Sequence, residues 1–564
     1  MKRWHLSAVV FLGVASVASV AAAEPPPDGQ GERHARTTDV QILALNDFHG
    51  QLRPPDSASS GGRIGATPAG GAEYLASYVR DLRATNPNSL FVSAGDLIGA
   101  TPLVSAIFHD EPTIEAMNLI GLDYNGVGNH EFDEGTAELT RMQDGGCHPV
   151  EGCFGGDGFT GADFQFLAAN VTYEDTGETI FPPYAIHRFP GGVRVGVVGM
   201  TLEGTPGIVT AAATADIDFH DEADSVNALV PLLKRHGAEA IVVLLHEGGS
   251  AGPLNETTVN QCNNPTGTAI TDVITRLDPE IDLVVTGHTN WGLNCPNFAG
   301  TGIMVTGAAS VGRVVTDVDL TISRATKDVV AASINNVIVR RDTKPAAPDI
   351  TALIDKYGTI AAPIENRVLG TASLPLTRTQ NAAGESSLGD IIADAQLWAT
   401  SGPGWPAANG APAVVAFMNS GGIRADINAG PITYGEAFSV QPFANVLVTM
   451  DMTGAQIDAL LEQQFTGGNG VLQISGSLTY DRSQSAPAGN RVSNIRIAGA
   501  EISAGATYRV TVNNFLADGG DNYSTFTSGT NRFVGEIDLD AFARYIESLG
   551  TVSPGPQNRI TLVP

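Results

Sequence analysis

From residue 40 onward the chain alternates short apolar runs with longer amphipathic stretches. The runs are VQILAL (40–45), SLFVSA (89–94), VRVGVVGM (193–200), AIVVLL (240–245), IDLVVT (281–286) and GIMVTG (302–307). They have strand length and are rich in β-branched residues, while GAEYLASYVRDLRAT (71–85) has the spacing of a helix. That alternation predicts an α/β domain over 40–340. The pattern breaks in RDTKPAAPDITALIDKYGTIAAPIENRV, where Asp349 to about Ala361 reads as a capped connecting helix inside a 341–364 linker. A second, smaller α/β segment follows over 365–564, with ESSLGDIIADAQLWAT (385–400) as a helix and AVVAFMN (413–419) as a strand. No internal repeat is visible.

Each early run ends in a polar cluster. Strand 40–45 leads into NDFHG, hence Asp47 and His49, and strand 89–94 leads into GDLIG, hence Asp96. The stretch YNGVGNHEFDEG supplies Asn129, His130 and Asp133. His246 follows 240–245, and His288 and Asn290 follow 281–286. In open α/β sheets, ligands bind beyond the carboxyl ends of the strands, so neighbouring strands would bring these side chains into one crevice. One Asp-x-His or Gly-Asp after a strand is ordinary turn chemistry; five such clusters in succession are not. So many His, Asp and amide ligands exceed one tetrahedral zinc. They suit two divalent ions with mixed N/O ligation and a shared carboxylate, an arrangement that clamps the oxygens of a phosphoryl group during in-line attack.

The 564 residues carry 60 acidic against 31 basic side chains, a net charge of −29. A surface this acidic repels polyphosphate backbones, which excludes DNA or long RNA as the expected partner and leaves small phosphates. The N-terminus MKRWHLSAVVFLGVASVASVAAAEPPPDGQ has a basic start, an apolar stretch and Ala21-Ala22-Ala23, a secretory signal peptide over 1–23. Residues 24–39 read as a disordered lead-in. The expectation is an exported protein, periplasmic or secreted, with no membrane anchor. Four cysteines allow three pairings. The spacing favours Cys147–Cys153 and Cys262–Cys295, and an exported chain oxidises such pairs more readily than it turns them into a zinc site.

In the second half, FMNSGGIRADI (417–427) puts Asn419 and Arg424 around a Gly pair after a strand, a pattern suited to an anion. VQPFANV offers Phe443 and Asn445, and VNNFLADGGDNYSTF offers Phe515 and Asp521. Two rings can sandwich a planar base, worth about 1–3 kcal/mol per base, and an Asp suits ribose hydroxyls.

The order D-x-H, G-D, G-N-H-E-x-D, H, G-H-x-N resembles the calcineurin-like metallophosphoesterases. The versions LNDFHG, GNHEFD and GHTN, with the second half, resemble the 5′-nucleotidase branch. The resemblance implies an N-terminal α/β sandwich with a dinuclear site, joined by a helix to a substrate-binding domain. It implies one ion (zinc, manganese, iron or cobalt) on Asp47, His49 and Asn290, the other on Asn129, His246 and His288, and Asp96 between them. His130 is implied as the catalytic histidine, oriented by Asp133, and Glu131 has a structural role by default. Phe443 and Phe515 are implied to stack on the base, Asp521 to hold ribose, and Arg424, Asn419 and Asn445 to contact the nucleotide. Relatives carry a further Arg ahead of the ESSLGD helix. Arg378 is the nearby candidate, and the sequence leaves its register open. The implied activity is release of phosphate from nucleoside 5′-monophosphates, with UDP-sugars and 2′,3′-cyclic nucleotides as further substrates. The alternatives are hydrolysis of a sulfur-linked sulfonate and non-catalytic nucleotide binding.

Overall fold

The computed structural model describes residues 37–55, 60–154, 158–249, 254–262, 268–402, 405–406, 410–466 and 470–564. The leader and most of the lead-in lie outside the described residues. Two six-stranded sheets pack face to face in the N-terminal half. One has the order Asp328–Ile338, Val314–Ser323, Thr37–Leu45, Ser89–Ser93, Tyr124–Gly126, Gln165–Leu167. The other has the order Gly292–Cys295, Met304–Ala308, Leu283–Thr286, Ala240–Leu245, Arg194–Met200, Tyr184–Arg188. In each, four successive strands run parallel; antiparallel strands close one edge of the first sheet and both edges of the second.

Successive side chains point to opposite faces of a strand, and here both faces are covered. Val40, Ile42 and Ala44 meet Val195, Val197, Val242 and Leu244 of the facing sheet. Leu43 and Leu45 meet Leu75, Val79, Ile114 and Met117 on the helices Ala72–Arg83 and Glu111–Ile120. Ile241, Val243 and Leu245 pack likewise on Val226 and Val230 of the helix Glu222–Arg235 and on Ile270 of the helix Thr268–Arg276. The result is a four-layer α/β sandwich.

The first strand starts at Thr37 because Thr37–Asp39 pairs with Thr321–Ser323, so the lead-in is shorter than 24–39. The strands Val314–Ser323 and Asp328–Ile338 went unread in the sequence. The second is mostly exposed, so its apolar signal is broken by polar positions. The connecting helix is Pro348–Glu365, longer at both ends than expected. Its Ile350, Leu353, Ile354, Tyr357 and Ala361 belong to the N-terminal core. The helix is therefore part of the first domain's packing as well as its exit.

The C-terminal half is built on a mixed sheet ordered Gln473–Ile474, Val415–Met418, Thr507–Asn513, Val446–Thr453, Thr530–Ile537. Helices Ser387–Ser401 and Asp538–Leu549 share one core through Leu388, Ile392, Phe542 and Ile546, and the helix Gly454–Gln463 packs through Ile457, Leu460 and Leu461 in another. Ser386 caps the first helix, its Oγ accepting the Gly389 amide at 3.1 Å. Cys147 is bonded to Cys153 and Cys262 to Cys295. No helix among the described residues is long and apolar enough to cross a membrane.

Asp538, the first residue of the last helix, is buried and accepts from Gln441 Nε2 at 3.0 Å, while its Oδ1 has no hydrogen-bond partner. Burial pushes its carboxyl up to about 7. The folded state therefore holds a proton that the unfolded chain releases near its ordinary value, and stability falls as pH rises from about 4 through about 7. Asp538→Asn is expected to flatten that part of the pH profile and to raise the melting temperature at pH 8. Parallel thermal melts of both proteins at pH 5 and pH 8 check this, and an equal drop in both would refute it.

Candidate metal centre and substrate cleft

The five strand-end clusters meet at one edge of the sandwich. The NDFHG and GDLIG loops zip together: Asp47 N donates to Gly95 O, His49 N to Asp96 O and Gly50 N to Leu97 O, each at 2.9 Å. Glu131 holds the next loop against them. Its Oε2 accepts the amides of Asp96 (2.9 Å) and Gly128 (2.7 Å), and its Oε1 accepts the Leu97 amide (2.8 Å) and Asn125 Nδ2 (3.2 Å). Gly128 is required here, since a Cβ would lie 2.3 Å from Asp96 Oδ1. Asp47, His49, Asp96, His288 and Asn290 all sit at positive φ, between 48° and 66°. Each such residue costs about 1 kcal/mol or more, a strain that surrounding structure must impose and that clusters at functional sites.

Asp96 is the centre of the group. Its Oδ2 lies 3.0 Å from His246 Nε2 and 3.7 Å from His49 Nε2, and its Oδ1 accepts the His130 amide at 2.9 Å. Asp96, His246 and His288 offer donors within 4.8 Å of one another, and so do Asp47, His49 and Asp96. Asn129 Oδ1 lies 3.1 Å from His246 Nε2 and 2.9 Å from His288 Nδ1. Asn290 stands apart: it is exposed, with its amide nitrogen on His288 O at 3.2 Å.

These residues fit divalent ions. Asp47 Oδ1 and His49 Nε2 are buried without hydrogen-bond partners. The other nitrogen of His49 is held by Gly99 O at 3.0 Å, and that of His246 by Ala94 O at 2.7 Å, which orients both rings. Burial pushes His49 down to about 3 and His288 to about 4, so both present free lone pairs at neutral pH. Burial also raises Asp47 to about 7. Burial opposes charge on Asp96 too, but His246 and His130 outweigh it and hold the carboxyl well below its usual range. Burial works against a charged His246, yet Asp96 lifts it to about 10. The site thus carries protons that a bound cation displaces.

His130 Nδ1 lies 2.9 Å from Asp133 Oδ2. Burial lowers its pKa, but Asp133 and Asp96 more than compensate and raise it above the ordinary histidine value. With Nδ1 committed to Asp133, Nε2 is the ring nitrogen left uncommitted.

A cavity of about 400 Å³ runs from Asn129, His130, Asp133 and His288 to the second domain, where Asn419, Arg424, Phe443, Asn445, Phe515 and Asp521 line it. Phe443 stacks on the His130 ring (centroids 5.6 Å, planes 16° apart), and the Arg424 guanidinium lies 5.7 Å from the Phe443 centroid. Asn445 Oδ1 is buried there without a partner. Asn419 is already engaged on both sides, its Nδ2 donating to Asp521 Oδ2 at 2.9 Å and its Oδ1 accepting from Asn513 Nδ2 at 3.1 Å. It positions Asp521. Arg378 is tied to the segment after the Gly-Gly turn, its Nη1 donating to the Arg424 carbonyl at 2.9 Å and its amide to Asp426 at 2.8 Å.

Residues 40–291 match the calcineurin-like phosphoesterase family, and residues 367–528 match the C-terminal domain of 5′-nucleotidase. The cell wall protein Lmo0130 of Listeria monocytogenes is 31% identical, over 91% of this chain and 67% of its own. The chain belongs to the 5′-nucleotidase family of calcineurin-like metallophosphoesterases. The endonuclease YhcR of Bacillus subtilis is 34% identical over 90% of this chain, which spans only 40% of YhcR. The 5′-nucleotidase precursor of Thermus thermophilus superimposes with a TM-score of 0.74 at 27% identity, covering 93% of this chain and 99% of that one. Within this family fold, Ile208, Val209 and Thr210 of the N-terminal domain also line the cavity. The sequence offered no sign of them, since EGTPGIVTAAAT carries no side chain that marks chemistry.

Proposed function

We propose that the protein is an exported phosphohydrolase that uses two divalent ions to release phosphate from nucleoside 5′-monophosphates. The observation that carries this reading is the cavity that joins the His130–Asp133 pair, and Asn129 and His288 of the Asp96-centred ligand group, to Phe443, Phe515, Arg424 and Asp521. Asp47, His49 and Asp96, and Asp96, Asn129, His246 and His288, would hold the ions, with Asn290 at the rim. Zinc, manganese, iron or cobalt suits the donors. Such ions polarise phosphoryl oxygens and lower the pKa of water. The chain's own residues do the rest. Arg424 adds positive charge near the phosphate end of the cleft. The ring of Phe515 and the free Oδ1 of Asn445 meet the base, and Asp521, steadied by Asn419, meets the ribose hydroxyls. The phosphorus–oxygen bond to the 5′ carbon's oxygen breaks as water oxygen bonds to phosphorus, and His130 Nε2 supplies the hydrogen bond that eases departure of that oxygen. Asp133 keeps the imidazole charged and in place. Two disulfides among the described residues suit an oxidising compartment and support the export reading.

The test strips the protein of metal and measures phosphate released from 5′-AMP, UDP-glucose and a 2′,3′-cyclic nucleotide, with and without added manganese or zinc. Metal-restored release from 5′-AMP is expected. Silence on all three with metal bound would sink the nucleotide assignment. Phe515→Ala is expected to raise KM for 5′-AMP about tenfold, in line with the loss of one base stack. It should leave turnover of ribose 5-phosphate, which has no base, unchanged. Equal effects on both substrates would remove Phe515 from the base site.

A further inference from the structure

A second group of metal-competent side chains lies outside the cleft and shares no residue with it. His109 and His148 stack in parallel, centroids 4.0 Å apart and planes 12° apart. His109 Nε2 lies 3.8 Å from Glu151 Oε2, and His109, His148 and Glu151 offer donors within 4.8 Å of one another. We propose that His109, His148 and Glu151 form a further binding site for a borderline transition-metal ion of the zinc, nickel or copper class.

Three independent features of the surroundings support a built site. The first is the partner on the far nitrogen of His109. Its Nδ1 is 2.5 Å from Glu134 Oε2. A carboxylate on Nδ1 fixes the tautomer, turns the Nε2 lone pair outward and makes it more basic, as for most histidines that ligate metals. Nε2 is the nitrogen that faces Glu151. The second is pre-organisation of the loop. His148 and Glu151 sit on a tight turn closed by reciprocal bonds between His148 and Gly152 (3.1 and 2.9 Å) and stapled by the Cys147–Cys153 disulfide. Phe154 packs its ring beside both imidazoles, at 5.5 and 6.4 Å. Two ligands on a closed turn lose little freedom when an ion binds. The third is backbone strain. His109 and the next residue, Asp110, are both at positive φ, 49° and 61°, which non-glycine residues adopt only where surrounding structure holds them. Asp110 anchors that strained turn by accepting the Gly99 amide at 3.0 Å.

The donor set defines the ion. Two imidazoles with one carboxylate favour a four-coordinate borderline cation over calcium or magnesium, which take all-oxygen sets. Glu138 also approaches His109, but its carboxylate is committed to Arg141 Nε at 3.0 and 2.9 Å. The Glu151 amide donates to His148 Nδ1 at 3.1 Å, a hydrogen bond that an ion on that ring replaces. Water completes the coordination, since Glu151 and the turn are exposed. The ion would tie the stapled turn to Glu134, the neighbour of Asp133.

The experiment counts bound zinc in the intact chain after equilibration with the ion and removal of excess, alongside the optical spectrum of the cobalt-loaded protein. His148→Ala is expected to bind one ion fewer than the native chain while keeping its hydrolytic activity. Glu151→Gln is expected to weaken that same ion at least tenfold. In an Asp96→Asn background, which disables the cleft, one zinc should remain, carrying a four-coordinate cobalt spectrum that His148→Ala abolishes. Identical metal content in the native and His148→Ala chains would overturn the proposal. So would an Asp96→Asn chain that binds no zinc while its thermal melt shows it folded.

Discussion

His130→Ala is expected to lower kcat by about 10²–10⁴-fold, the range for loss of a positioned acid or hydrogen-bond donor, with metal content and nucleotide binding retained. The structure gives the reason for the separation. The His130 side chain binds Asp133 and faces the cavity, whereas its contribution to the ligand group is made by the backbone, whose amide donates to Asp96 Oδ1 at 2.9 Å. Alanine keeps that amide. It also removes the ring on which Phe443 stacks, so a modest change in KM should accompany the fall in kcat. Asp133→Asn should act in the same direction and more weakly, because it removes the charge that keeps the imidazole protonated but leaves the ring. The check is steady-state hydrolysis of 5′-AMP at full metal load, with ion content measured on the same samples. Retained turnover in His130→Ala would remove this residue from the chemistry. Turnover lost together with the metal would make it structural.

Asp96→Asn is expected to do the reverse and lose the ions themselves. Asp96 is the one side chain common to both donor groups, with its Oδ2 between His246 and His49. An amide keeps the shape but gives up the charge that draws two cations together. Substitutions of residues that merely touch metal ligands already cost about 10–100-fold in affinity, so metal affinity should fall by at least about 100-fold and turnover with it. Competition with a chromophoric chelator measures the affinity directly. The fold should survive, since Glu131 still accepts the Asp96, Leu97 and Gly128 amides and holds the loops together. Native affinity in Asp96→Asn would mean that the two donor groups do not share an ion pair.

Each of the six apolar runs is a strand of the two sheets, because a strand buried on both faces must be apolar at nearly every position, and Val40–Leu45 shows both sides of that burial. The side chains that the fold gathers were equally legible: His, Asp and Asn stand at the ends of these strands. The mostly exposed strand Asp328–Ile338 was not legible, because exposed positions tolerate polar residues and break the pattern. Other facts are set by distance in space. The sequence ranked Asn290 with the ligands, and the fold puts it at the exposed rim with its amide on a neighbouring carbonyl. It left Arg378 without a register, and the fold hydrogen-bonds it to the Arg424 carbonyl. The resemblance gave Asn419 to the nucleotide, and the fold puts it in the cavity lining with its Nδ2 on Asp521 and its Oδ1 on Asn513. It gave no weight to Ile208–Thr210, which reach the cleft only because two domains close around it. Residue type and periodicity determined the sandwich, its strands and the chemistry available at their ends. Tertiary packing alone decided which of those groups face one another, since contact between residues hundreds of positions apart leaves no periodic trace in either segment.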